Sequence, residues 1–198
     1  GLGRSIQPFL EHLVGETQET VNVGVLSGND VIVVNRVVPV KPLRLEVQIG
    51  ARLPAHCSAM GKILLAYGTE VQLRAYIAGR TRLPRATPKT IDDPEVLHEE
   101  LLRGREQGYI WQNEELFEGI CCVASPIRDS AGRVVAAVSV AMQTSSITPE
   151  RREHLPQCVK EAADAISRHL GFQEPVLIPV AVPARRARSQ DGLRQGDA

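Results

Sequence analysis

The residues best placed for chemistry lie in Leu53-Pro54-Ala55-His56-Cys57-Ser58-Ala59-Met60-Gly61-Lys62, a loop that runs into the apolar stretch Ile63-Leu64-Leu65-Ala66. Serine is a strong helix N-cap, so Ser58 predicts a helix whose first-turn amides, on Ala59, Met60 and Gly61, lack intrahelical partners. Such an end carries partial positive charge and accepts a carboxylate or phosphate without a cationic side chain. Gly61 lets a ligand or another element come close, at a cost of roughly 1 kcal/mol relative to alanine. The same spacing equally describes a capped core helix packed tightly at its glycine. His56 and Cys57 offer two further chemistries. Cys57 precedes a helix N-terminus, where a thiolate is favoured, so a redox-sensitive thiol is one reading. A metal held by His56 and Cys57, with Cys122 or Glu114 completing the set, is another. A nucleophile–base pair is disfavoured, because sequence neighbours seldom align for proton transfer.

Composition narrows the classes. A chain of 198 residues with 43% hydrophobic content suits one globular domain. Lys plus Arg and Asp plus Glu both number 23, so net charge supplies no general affinity for nucleic acid. No apolar run approaches the ~20 residues of a membrane span and no signal-peptide pattern is seen, so a cytoplasmic protein without a membrane partner is expected. Cys57, Cys121, Cys122 and Cys158 lack Cys-x-x-Cys spacing and read as small buried hydrophobes. Adjacent strand residues point to opposite faces, so Cys121 and Cys122 are poorly placed to form the disulfide that a thiol-dependent reductase needs.

The elements that must position these residues follow from periodicity. Ile6, Phe9, Leu10, Leu13 and Val14 predict an amphipathic helix. Val21 to Leu26 and Val31 to Val38 predict strands joined at Ser27-Gly28-Asn29-Asp30, and the alternation of Leu43, Leu45, Val47 and Ile49 predicts a third. Thr69 with Gln72 forms a capping box for a short helix, Thr81 to Lys89 reads as a loop, and a helix is expected from Asp93-Pro94 to Gly108. Tyr109 to Gln112, Ile120 to Arg128 and Arg133 to Met142 read as strands. A last helix begins at Thr148-Pro149, with Leu155, Cys158, Val159, Ala163 and Ile166 on one stripe. Consecutive hairpins flanked by helices predict an α+β fold with an antiparallel sheet. Residues 173–198, punctuated by Pro175, Pro179 and Pro183, read as a disordered tail.

Register sharpens the hairpin. If Arg128 stands opposite Arg133, then Cys122 faces Ser139, Ile120 faces Ala141 and Ala124 faces Ala137. Small side chains on that face leave room for a helix or a ligand. Val134, Ala136, Val138, Val140 and Met142, with Cys121 and Val123, then form ordinary core on the other face.

The segment Leu-Pro-Ala-His-x-Ser-Ala-x-Gly-Lys-x-x-Leu-Ala resembles the signature of the effector-binding domain of IclR-family bacterial transcription regulators. Glu19 to Val25, Pro42 to Gly50, Gly108-Tyr109, Glu114-Glu115, Glu118-Gly119-Ile120 and Val123 to Ile127 follow the family order, so the likeness spans residues 5 to 172. It implies a GAF-like, profilin-like fold: a linker helix over 1–20 leading from an absent DNA-binding domain, then an effector-binding domain over 21–172. It also implies recognition rather than catalysis, no cofactor, and self-association as a homodimer or homotetramer. A small organic acid would lie between the signature helix and the sheet. By motif position, Ala59 and Met60 correspond to the small pair before Gly-Lys, and Gln112 to the polar residue after Gly-Tyr. Cys122 corresponds to the residue three after the motif glycine, and Ser139 to the serine of the next strand. Leu53 would supply an apolar wall, with Leu43 and Leu45 beside it.

Gln112 stands where some relatives carry aspartate, and Ala141 where some carry a second serine. These departures favour a more apolar acid, such as an aromatic carboxylate. Too few residues precede the first helix for a winged helix-turn-helix, so operator DNA would be reached only through that missing domain. The rival readings are a GAF-type redox or metal sensor using Cys57 and Cys122, and a GAF-type methionine sulfoxide reductase.

Overall fold

The computed structural model describes residues 2–40 and 47–174. Helix α1 (Leu2–Thr17) buries Ile6, Leu10 and Leu13, the helically spaced face the sequence marks. Strands β1 (Thr20–Ser27) and β2 (Asp30–Val37) form a hairpin in which Ser27 pairs with Asp30 and Gly28 takes φ +62°. Gly28 thereby supplies the left-handed conformation that a two-residue hairpin turn demands. A short strand β3 (Arg52–Pro54) pairs antiparallel with β2, placing Leu53 opposite Val31.

Helices α2 (Ala59–Ala66), α3 (Glu70–Ile77) and α4 (Pro94–Gln107) follow. The expected capping box is present at Thr69 and Gln72, and Gly108 closes α4 at φ +80°. Strands β4 (Ile110–Asn113), β5 (Ile120–Arg128) and β6 (Val134–Gln143) complete an antiparallel sheet of order β3-β2-β1-β6-β5-β4, and α5 (Pro149–His169) ends the described fold. The α+β class and the antiparallel sheet with flanking helices are as the sequence predicts.

The sheet divides two cores. On one face α1 and α5 pack over Val21, Val23, Cys121, Val123, Val138 and Val140. On the other, α2 and α4 pack over Val31, Val33, Ala124 and Ala137. Cys121 and Cys122 face opposite sides as strand alternation requires.

Two expectations change. The third strand lies at Arg52–Pro54, since Val47 and Gln48 are irregular and Ile49-Gly50 turns the chain with Gly50 at φ +89°. Leu43 and Leu45 fall outside the described residues, as does most of the segment read as a tail.

The β5–β6 register is also displaced by two residues: Cys122 pairs with Ala141, Ala124 with Ser139 and Ile120 with Gln143. Two one-residue shifts combine. Arg128 pairs with Val134 rather than Arg133, and a bulge between Ile127 and Arg128 leaves Val135 unpaired. Two such shifts restore side-chain parity, so Cys122 and Ser139 still share a face, as diagonal rather than direct neighbours. Val134, beyond the bulge, packs with the α2 core instead of the α1/α5 core.

Gly61 shows why α2 sits so deep. A Cβ there would lie 2.3 Å from the Ala55 carbonyl oxygen and 2.4 Å from Ala55 Cα, both main-chain atoms. Gly61→Ala is therefore expected to destabilise the fold by about 1–3 kcal/mol or more, read as a lower urea midpoint at unchanged slope.

Candidate functional site

Between the N-terminus of α2 and the sheet lies a cavity of about 250 Å³. Its floor comes from sheet residues that alternation points the same way: Asn22, Arg36, Ser139, Ala141, Cys122 and Gln112. Pairing aligns Arg36 with Asn22 and Asn22 with Ser139, a polar row across three strands. Ser58, Ala59 and Met60 form one wall; Val47, Leu53, Leu116, Phe117 and Ile120 supply apolar surface. Eight of the nine residues singled out from sequence thus meet in one place: Leu53, Ala59, Met60, Gln112, Ile120, Cys122, Ser139 and Ala141.

Gly61 is the exception. Its amide donates to Ser58 Oγ at 3.1 Å, and its missing side chain leaves room for Ala55. The N-terminal cradle is accordingly narrower than the sequence predicts. The N–H groups of Ala59 and Met60 have no partner among the described residues, while those of Gly61 and Lys62 are taken by Ser58.

Sequence reasoning also missed Asn22 and Arg36. Asn22 carried a signal, since Val21-Asn22-Val23-Gly24-Val25 alternates apolar residues with one polar side chain and one glycine. Gly24 occupies the same face, and a Cβ on it would meet Met60 Sδ at 3.1 Å. Arg36 carried none. A bulge at Val23/Gly24 skips Val34 and resets parity, turning Arg36 onto the cavity face. Its guanidinium donates to the Val47 carbonyl, and burial lowers its pKa. The expectation of an uncharged site therefore gives way to one with a cation in its wall.

Gln112 is held by the loop that follows β4. With its amide turned to meet them, Oε1 accepts from the N–H groups of Glu114, Glu115 and Leu116 at 3.1, 2.5 and 3.1 Å. Its carbonyl therefore organises the loop carrying Leu116 and Phe117. The same loop is tied to α2 by Lys62, whose fully buried ammonium donates to both Glu115 oxygens at 2.7 Å and to Glu100 at 2.6 Å. Burial raises the Glu115 pKa, and the Lys62 charge opposes that rise.

The thiols do not behave as the redox reading requires. Burial, assisted by the Glu115 charge, pushes the Cys57 thiol up to about 12, and burial raises Cys122 to about 12. Both are neutral at physiological pH, contrary to the thiolate expected from a helix N-terminus. They also lie apart: Cys57 lines a separate cavity with His56, Tyr76 and Arg80. His56 is fully engaged. Nε2 donates to the Pro84 carbonyl at 2.7 Å, leaving Nδ1 to accept from the Tyr76 hydroxyl at 2.9 Å, and burial lowers its pKa. A metal at His56 would have to displace one of these bonds. Among the described residues no group of three or more His, Cys, Asp or Glu side chains is arranged to hold a metal. No helix among them is long and apolar enough to cross a membrane.

The family described as bacterial transcriptional regulator IclR C-terminal matches residues 1–168. The chain is 38% identical over 169 residues to the HTH-type transcriptional repressor AllR of Salmonella typhi, covering 85% of this chain and 62% of that protein. It is similar to the solved C-terminal domain of the Escherichia coli transcriptional regulator KdgR, with TM-score 0.76 and 31% identity over 86% of this chain and 99% of that one. It is also similar to an IclR homolog from Microbacterium hydrocarbonoxydans solved with 4-hydroxybenzoate, with TM-score 0.77 and 27% identity over 85% and 68%.

Removing the Lys62 ammonium strands a buried carboxylate, so Lys62→Met should cost about 3–5 kcal/mol at neutral pH. Glu115 has a raised folded pKa, so its contribution to stability is greatest when protonated and falls as pH rises through that value. Loss of Lys62 raises that pKa further. The deficit of the variant should narrow as pH falls, measured by urea unfolding across pH.

Proposed function

This chain belongs to the IclR C-terminal family of bacterial transcriptional regulators, and from that premise we propose that its cavity is the receptor for a small organic acid. The observation that carries the reading is the pairing of two unpartnered helix-N-terminal amides, on Ala59 and Met60, with a largely apolar enclosure. The acid's carboxylate is received by those N–H groups, where the helix dipole favours negative charge. Arg36 adds a second cationic contribution to the same enclosure. Met60, Leu53, Leu116, Phe117 and Ile120 cover the body of the ligand, and Ser139, Cys122 and Gln112 lie within the wall for its polar substituents. At about 250 Å³ the cavity suits an acid the size of one aromatic ring or smaller, just below the ~300–1,000 Å³ range of ligand pockets. The related protein solved with 4-hydroxybenzoate supports an aromatic carboxylate.

The chain spans 62% of the length of the AllR relative, so DNA binding belongs to this proposal rather than to the described domain. Occupancy of the cavity biases one arrangement of a self-associated regulator, and an attached DNA-binding domain reports it. Neutral thiols and an engaged His56 make the redox and reductase readings weaker.

A thermal-shift screen of benzoate, 4-hydroxybenzoate, pyruvate and glyoxylate tests the reading. An acid present at 100 times its Kd stabilises by about 2.7 kcal/mol, a rise of several degrees in Tm. Met60→Trp fills the cavity and should weaken such an acid at least tenfold while the variant still unfolds cooperatively. Full affinity in that variant places the site elsewhere.

A further inference from the structure

The floor of the cavity holds a polar group that the helix end does not account for. Asn22 is only 6% exposed and lines the cavity, and its Oδ1 has no hydrogen-bond partner and touches no water-sized space, so it meets a ligand once the side-chain amide turns toward the cavity. A buried carbonyl left without a donor is an energetic cost that folded chains seldom retain without a use. Directly across the β1–β6 pairing stands Ser139, also buried and also in the wall. Side chains paired in this way have Cβ atoms about 4.5–5.5 Å apart, so one ligand atom can meet both. The next cavity-facing position on β1 is Gly24, over which Met60 lies. Asn22 and the α2 amides are therefore two polar parts of one enclosure, with Met60 between their supports.

We propose that Asn22, backed by Ser139, is a specificity-determining subsite that reads a hydroxyl group on the bound acid. This inference rests on the acid-receptor reading and narrows it to hydroxy acids. The chemistry is set by the orphaned atom. Oδ1 accepts only, so a ligand oxo group or ether oxygen leaves it unsatisfied, whereas a hydroxyl donates to it. The hydroxyl oxygen in turn accepts from the Ser139 hydroxyl, which stands opposite. A site built around such a pairing rejects the analogue lacking the group more strongly than an apolar wall rejects a change of shape.

Isothermal titration of the 198-residue chain with matched acids tests this: 3- and 4-hydroxybenzoate against benzoate, and lactate against pyruvate. In at least one series the hydroxy acid should bind at least about tenfold tighter than its partner. Asn22→Val should bring that ratio within about twofold while raising the Tm of the unliganded protein, because valine suits a strand and removes the orphaned carbonyl. Ser139→Ala should shrink the ratio as well, and its unfolding curve checks that the pocket is intact. Acids that bind the wild type with no hydroxyl preference, or a preference retained in Asn22→Val, overturn the subsite and leave the receptor reading standing. Failure of all five acids to bind the wild type overturns both.

Discussion

Side-chain alternation along the strands, and the two places where it is reset, determines what the cavity is made of. A strand offers its residues alternately to two faces, and here each face feeds a different core. The bulge opposite Val23 and Gly24 brings Arg36 into line with Asn22 and Ser139. The bulge near Arg128 cancels a longer turn and keeps Cys122 and Ser139 on the cavity side. Without the first, a neutral side chain would occupy the place of the guanidinium. With only one of the two shifts in the β5–β6 hairpin, the paired strands would exchange their apolar and small-residue faces.

Around this floor the walls are fixed by polar groups bonded to the protein itself. Lys62 and Glu115 join α2 to the loop after β4, and Gln112 gathers three consecutive amides of the same loop. These contacts place Leu116 and Phe117 over the sheet, with Phe117 still 44% exposed at the rim. The arrangement trades stability for shape: a buried ion cluster is seldom the most stable solution for a core, but it holds a loop in one position. Ser58 works similarly at the helix end. By taking the Gly61 amide it leaves two N–H groups directed elsewhere.

The helices and hairpins were legible because their signals are local. Ser58, Thr69, Asp93 and Thr148 all cap the helices their side chains predict. The small residues of β5 and β6 announced a face with room above it, and the family signature named most of the wall. What stayed hidden depends on events with no local mark. A bulge is a property of two strands together, so neither Arg36 nor the pairing of Cys122 with Ala141 could be read along one of them. Gly61 was ambiguous for another reason: permissiveness toward a ligand and toward Ala55 look the same in sequence. Cys57 is the buried small hydrophobe of the favoured reading; the rival thiolate reading arose because the helix N-terminus was visible in sequence, whereas the burial and the Glu115 charge that oppose it were not.

The sheet is one layer thick where it separates the cavity face from α1. Along β1, Asn22 and Gly24 look into the cavity chamber while Val21 and Val23 look into the core that seats Leu10 and Leu13. Alternate residues of a single strand thus serve as the two ends of a very short lever. The cavity floor and the seat of the amino-terminal helix are therefore two sides of the same backbone, with no intervening element between them.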